Sequence, residues 1–177
     1  MMKLLATFRE KDVFPNLKTD ESNMDYKDRL TGKAIVFNDK NEIALVGNRI
    51  NNFYILPGGG IDKNEPIKDG IMRECLEEIG YKIDIIDEVG IVEDYRARDK
   101  KHCTNYCYTA KATGEKRKLN LTEDEKRNGL RVIWVTLNEA IEISSSEMEQ
   151  LRSGKVFFYN TGFNILRDNL FLREIKK

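Results

Sequence analysis

The sequence predicts an α+β (or α/β) protein in which a sheet carries helices. Three observations predict it. Apolar residues alternate with period two on both sides of one stretch where they recur every three or four, a triple glycine marks the change of period, and the composition is that of a folded chain. With 177 residues, 40% hydrophobic and 34% charged, the chain can bury roughly 70% of its unfolded surface around one core. One domain is therefore expected over 1–177, with 1–30 as an N-terminal extension and 156–177 as a C-terminal helix.

Residues 4–8 read as a short strand and 15–23 as polar loop. The β-branched run Ala34-Ile35-Val36-Phe37, the turn residues 38–41 and the resumed pattern of 42–46 read as a hairpin. Residues 53–56 form a third strand that runs into Pro57-Gly58-Gly59-Gly60, a loop because consecutive glycines favour neither helix nor sheet. Over 67–79, Ile67, Ile71, Cys75, Leu76 and Ile79 share one helical face, and Gly80 stands where a C-cap belongs. Residues 83–86 and 89–92 suggest a long or broken strand with 103–109 as its antiparallel partner. A charged loop at 114–129, a strand at 130–135 and a helix at 137–151 follow, and the terminal helix completes the chain.

No apolar run approaches the ~20 residues that span a bilayer, and charge comes too early for a secretory segment. A cytoplasmic protein with no membrane partner is expected, and three cysteines suit a reducing compartment. Thirty basic residues balance thirty acidic ones, which argues against a dedicated nucleic-acid binder. The distribution is uneven: residues 59–81 hold six acids against three bases, and residues 96–131 eleven bases against five acids.

Opposite the apolar stripe of the 67–79 helix stand Glu74, Glu77 and Glu78. Spacings of three and four place these carboxylates within one turn, about 5–6 Å apart at Cβ. Such charges repel, and their oxygens are hard ligands for Mg²⁺ or Mn²⁺, which would replace repulsion with coordination. By itself Glu-x-x-Glu-Glu also suits a solvated helix face, so the surroundings decide.

Those surroundings are Gly59, five residues, Glu65, seven residues, then Arg73-Glu74-Cys75-Leu76-Glu77-Glu78-Ile79-Gly80-Tyr81. The run resembles the Nudix box, Gly-x5-Glu-x7-Arg-Glu-U-x-Glu-Glu-x-Gly-U with U a bulky aliphatic; Cys75 and Tyr81 are mild departures at the two U positions. The likeness extends more loosely from about residue 33 to 140. It implies a Nudix (MutT-like) fold, a mixed β-sheet sandwiched between α-helices, and a pyrophosphohydrolase that cleaves the diphosphate linkage of a nucleoside diphosphate joined to a group X. The resemblance implies Gly59, Glu74, Glu77 and Glu78 as holders of Mg²⁺ or Mn²⁺, and Glu65 with Arg73 as a supporting ion pair. Glu77 and Glu78 would be catalytic, and the general base would be Glu78 or an acidic loop residue, Glu125 ahead of Glu123 and Asp124. Arg49 is expected to touch phosphate.

In resembling enzymes that act on ADP-ribose, a proline occupies the place of Tyr95; in those that split dinucleoside polyphosphates, a tyrosine stands slightly further on. No coenzyme A signature is present. By elimination, a nucleoside triphosphate pyrophosphohydrolase of house-cleaning type is the first expectation, and an ADP-sugar or dinucleoside polyphosphate hydrolase is the alternative. A non-catalytic nucleotide-binding regulator is the alternative of another class. The expected partner is a small nucleotide-type substrate, with nucleic acid disfavoured. Tyr106 and Tyr108 share a strand face that could stack on a base, and Phe157, Phe158 and Tyr159 suit core or a homodimer contact.

Overall fold

Alternation of side chains along neighbouring strands sets the architecture. The computed structural model describes residues 1–48, 53–117, 119, 129–155 and 158–177. Along the chain come β1 (Leu4–Arg9), a single helical turn α1 (Glu10–Val13), β2 (Lys27–Phe37), β3 (Ile43–Asn48), β4 (Tyr54–Ile55) and α2 (Ile67–Ile79). They are followed by β5 (Lys82–Arg96), β6 (Lys101–Thr113), β7 (Leu130–Val135), α3 (Leu137–Arg152) and α4 (Tyr159–Glu174). The seven strands form one mixed sheet in the order β1-β5-β6-β2-β3-β4, with β7 paired to β3. β1 runs parallel to β5 and β2 parallel to β6, and the other pairs are antiparallel.

Successive strand residues point to opposite faces, so each strand feeds two cores. Ala34, Val36, Ala44 and Val46 face α2, where they pack with Ile71, Cys75 and Ile79. Ile35, Ile43 and Leu45 face the other way, toward Ala140 and Ile141 of α3 and Phe171 and Leu172 of α4. Ile35, Ile43, Ile71, Ile79 and Phe171 are fully buried, each contributing about 1.5–3 kcal/mol. The result is a sheet between helices, as the sequence predicts.

α2 ends at Gly80, whose φ of 77° is the left-handed cap the sequence suggests. α3 begins with a capping box in which Glu139 N–H donates to Thr136 Oγ1 at 3.3 Å and Thr136 N–H to Glu139 Oε2 at 2.8 Å. Of its serines, Ser145 is accommodated by donating to Ile141 O and accepting from Arg173 of α4 at 2.9 Å.

Three elements differ from expectation. β2 begins at Lys27, well before the apolar run, because it pairs along β6 from Lys27↔Lys101 onward, with Lys27 to Leu30 exposed and the polar Thr31 and Lys33 buried. The segment expected to be long or broken is one strand, β5, with register shifts at Ile85/Asp87 and Glu88/Gly90 that account for its irregular pattern. β1 adds an edge to the sheet, so the first thirty residues are partly built into the domain. Tyr108 is buried in the α2 core with Tyr106 packed against that core, so neither is placed to stack on a base. Tyr159 is core and Phe158 is exposed; Phe157 lies outside the described residues. Among the described residues, no helix is long and apolar enough to cross a membrane.

Candidate active site

The glycine loop is laid along β2 like a further strand. Ala34 N–H donates to Pro57 O at 3.1 Å, Gly32 N–H to Gly59 O at 3.0 Å and Ile61 N–H to Leu30 O at 3.0 Å. Buried Lys33 grips the loop from beneath, donating to Leu56 O at 2.9 Å and to Gly58 O. Asp168 of α4 accepts from Leu56 N–H at 2.9 Å. Because the loop lacks side chains at this point, α2 can approach it closely: a Cβ on Gly59 would lie 2.4 Å from Glu74 Oε2.

Arg73 joins helix to loop. Its guanidinium donates to Glu65 through Nε and Nη2, both at 3.0 Å, to Gly60 O at 3.0 Å and to Glu74 Oε1 at 2.7 Å. Glu77 Oε2 lies 3.6 Å from the same group. A forked guanidinium can serve several oxygens together in a way an ammonium cannot. Its hydrogen bond, with that of Asp62 N–H, holds the Glu65 carboxyl down at about 2, and Glu65 and Glu74 in turn raise the Arg73 pKa. Glu78 turns to the loop and accepts from Gly58 N–H at 2.8 Å.

Glu74, Glu77 and Glu78 thus occupy one turn of α2 beside the loop carbonyls. Among the described residues, no three His, Cys, Asp or Glu side chains converge on one point, because these glutamates turn toward Arg73 and Gly58. The donor set nonetheless fits a hard divalent cation: three carboxylates on one helical turn, next to the Gly59 carbonyl, which has a second lone pair beyond the one Gly32 N–H uses.

Across the loop lies a cavity of about 280 Å³ with the opposite character. Its wall is cationic: Arg29 and Lys33 from β2, Arg96 from β5, Lys101 from β6 and Arg167 from α4. Strand register aligns them, since Arg29 pairs with Cys103 and Arg96 with Lys101 across the sheet. Asn160, Asn164 and Arg167 are spaced by four and three, so one polar face of α4 closes the cavity. Asp94 takes both Arg96 Nε at 2.6 Å and Asn105 Nδ2 at 2.8 Å, and Asp168 takes Arg167 Nε at 2.7 Å. Burial disfavours charge on Arg96, but Asp94 overrides it and the Arg96 pKa rises. For Lys33, burial and then Arg167 push the ammonium below the ordinary lysine range, while Glu78, Asp168 and Glu74 pull the other way. Lys33 therefore stands between the two charge clusters.

Behind the loop, Glu147 of α3 accepts from Tyr54 N–H at 2.7 Å. Burial first, with a smaller push from Asp168, raises its carboxyl to about 8.

Gly59, Glu65, Arg73, Glu74, Glu77 and Glu78 are thus brought together, whereas Arg49, Glu123, Asp124 and Glu125 lie outside the described residues. The cationic wall is absent from the sequence expectations, yet it carries signals: Arg29-x-Thr31-x-Lys33 at period two, and the four-and-three spacing on α4. Reading strands by hydropathy passes over both. Tyr95 is occupied elsewhere, stacked on His102 at 4.4 Å and under Arg9 at 4.5 Å.

Residues 28–156 match the family model of the NUDIX domain. A Bacillus subtilis (strain 168) protein named for 8-oxo-dGTP diphosphatase activity is 32% identical over 69 residues, 39% of this chain and 46% of that protein. The match thus spans about half the length of that relative. Diphosphoinositol polyphosphate phosphohydrolase 2 of Mus musculus is 28% identical over 130 residues, 73% of this chain and 69% of that one. The solved MutT protein from Methanosarcina mazei Go1 superposes with a TM-score of 0.56 at 20% identity, covering 88% of this chain and all of that one, a likeness of fold.

Proposed function

The chain belongs to the NUDIX family, and from that premise we propose that it is a divalent-metal-dependent hydrolase of a diphosphate linkage in a small phosphorylated substrate. The observation that carries this reading is the set of three glutamates on one turn of α2, set against a loop that Arg73, Lys33 and Gly32 hold by its main chain. Glu74, Glu77, Glu78 and the Gly59 carbonyl are the proposed holders of Mg²⁺ or Mn²⁺. Such a cation, when bound, offsets phosphate charge and lowers the pKa of the attacking water.

The protein's own part is positioning and charge, which is most of what phosphoryl-type transfer requires. Arg73 and Glu65 fix the distance between loop and helix. Glu78, tied at Oε2 to Gly58 N–H, is the described candidate to accept the proton of the attacking water, and Glu125 is the candidate from outside the described residues. Arg49 is kept as a phosphate contact on the same footing.

Among substrates, nucleoside triphosphates come first. Tyr95 replaces the proline of ADP-ribose enzymes, and the Bacillus relative is named for a triphosphate. The test is a panel of nucleoside triphosphates, ADP-ribose and dinucleoside polyphosphates with Mg²⁺ or Mn²⁺, with Glu77→Gln as control. The reading expects a diphosphate bond to be cleaved in at least one of them and the substitution to slow cleavage by about two to four orders of magnitude. Release of no phosphate product, or release indifferent to Glu77→Gln, would overturn it.

A further inference from the structure

The glycine loop is held from two sides. On one side β2 and α2 fix it through Gly32, Lys33, Ala34 and Glu78. On the other, the segment that leads into it is tied to the opposite layer of helices by two carboxylates. Tyr54 N–H donates to Glu147 Oε1 of α3 at 2.7 Å, and Leu56 N–H donates to Asp168 Oδ2 of α4 at 2.9 Å. N–H groups two residues apart in an extended chain point the same way, so the two helices together occupy the edge where a further strand would otherwise pair.

The two carboxylates are not alike. Asp168 has a cation to answer it, since its other oxygen takes Arg167 Nε at 2.7 Å. Glu147 has none. It is 4% exposed, and its Oε2 has no hydrogen-bond partner among the described residues, so one main-chain donor would have to stabilise a whole buried charge. The elements packed against it offer no relief: β3 has no titratable side chain, β4 presents Tyr54, and α4 presents Asp168, a like charge. The cations of α4 are turned elsewhere, Arg167 to Asp168 and Arg173 to Ser145 and Asn169. Glu147 therefore keeps its proton while this edge is closed, and burial holds its carboxyl up at about 8.

We propose that Glu147 is a positioning residue for the glycine loop: protonated, it closes the edge of β4 and so seats Gly58 and Gly59 against α2, and loss of the proton opens that edge and lets the loop shift. The catalytic consequence rests on the hydrolase reading above, whereas the loop motion does not. Opening to solvent releases the proton between about pH 4.5 and pH 8. Within that window each unit of pH favours opening by about tenfold, and above it, where the closed state ionises too, the dependence ends.

Hydrogen exchange of the full chain, followed by mass spectrometry on the peptide 54–60 and corrected for the intrinsic pH dependence of exchange, measures the opening directly. In the wild type its opening constant should rise by about tenfold or more from pH 6 to pH 8, while amides of β6 show no such rise. Glu147→Gln keeps an acceptor for Tyr54 N–H and cannot ionise, so its opening constant should stay level. Glu147→Ala strands that N–H and should exchange faster at every pH. In steady-state kinetics with Mg²⁺, the ratio of kcat for Glu147→Gln to that of the wild type should be near one at pH 6 and reach about threefold or more at pH 8.5. A support that only stabilises the fold would leave that ratio level and would move β6 with the loop. An opening constant that rises alike in wild type and Glu147→Gln, or a kcat ratio that stays at one over this range, would overturn the proposal. If the opening follows pH as stated and no substrate is cleaved, the hydrolase reading falls and the positioning of the loop by Glu147 stands.

Discussion

Two regions of opposite charge meet at the glycine loop, and they are built on different principles. The acidic region is a half-exposed face of one helix, where Glu74, Glu77 and Glu78 crowd together because solvent and the Arg73 guanidinium weaken their repulsion. The basic region is largely covered, assembled from three strands and a helix, and its buried charges are held by specific partners: Arg96 by Asp94, Arg167 by Asp168, Lys33 by loop carbonyls. A buried charge without partners is too costly to keep. The acids can therefore be changed with loss of chemistry while the fold survives, and the deeper bases cannot.

The largest expected effect tests the acidic half. Glu74→Gln should lower kcat by about 10²–10⁴, some 3–5 kcal/mol in barrier, with the thermal midpoint moving by no more than a few degrees. The basic half should behave in the reverse way. Arg167→Met strands Asp168 in the interior and should cost about 3–5 kcal/mol of stability in urea unfolding; unchanged stability would show that the buried pair is dispensable.

Two carboxyls on either side of the loop, Glu65 beside α2 and Glu147 on α3 behind it, are shifted in opposite directions, which gives a pH test. Glu147, raised to about 8, binds a proton in the folded state that the unfolded chain has released above about 4.5. Stability from this group is complete below about pH 4.5 and is lost as pH rises toward 8. Glu147→Gln keeps an acceptor for Tyr54 N–H and should stabilise the protein at pH 8–9 by on the order of 3 kcal/mol, with little effect at pH 5. Glu65, held down at about 2, has the opposite sign: its contribution is present above about pH 4.5 and disappears as pH falls toward 2. Glu65→Gln should therefore lower the thermal midpoint at pH 7 and cease to matter near pH 2. Thermal melts across pH for both variants check the pair. The smallest effect is expected from Arg73→Lys, which keeps charge but loses the fork and should cost about tenfold in activity.

The same contrast explains what is legible in the sequence. The acidic half lies within a single stretch of 23 residues from Gly59 to Tyr81, where helical spacing alone gathers the carboxylates and the box motif can be matched position by position. The strands and helices are readable for a similar reason, since each core face is written as a local period. The basic half is spread from Arg29 to Arg167 and is assembled by the parallel register of β2 on β6 and the docking of α4. No local pattern encodes that register. The polar residues Arg29, exposed, and Thr31 and Lys33, buried, break the hydropathy rule by which strand faces are assigned, so the start of β2 and the cavity it lines escape the sequence together.

Everything proposed for the acidic half depends on the glutamates of α2 holding a divalent cation that makes hydrolysis possible. A Mg²⁺ titration of diphosphate-bond hydrolysis by the full chain, starting from EDTA and run in parallel with Glu77→Gln, tests this without an intermediate step. Hydrolysis should be absent in EDTA, rise and saturate with Mg²⁺, and be slower by about two to four orders of magnitude in the variant even at saturating metal. Hydrolysis that persists in EDTA, or a variant that reaches the wild-type rate, would show that these carboxylates do not hold the catalytic metal.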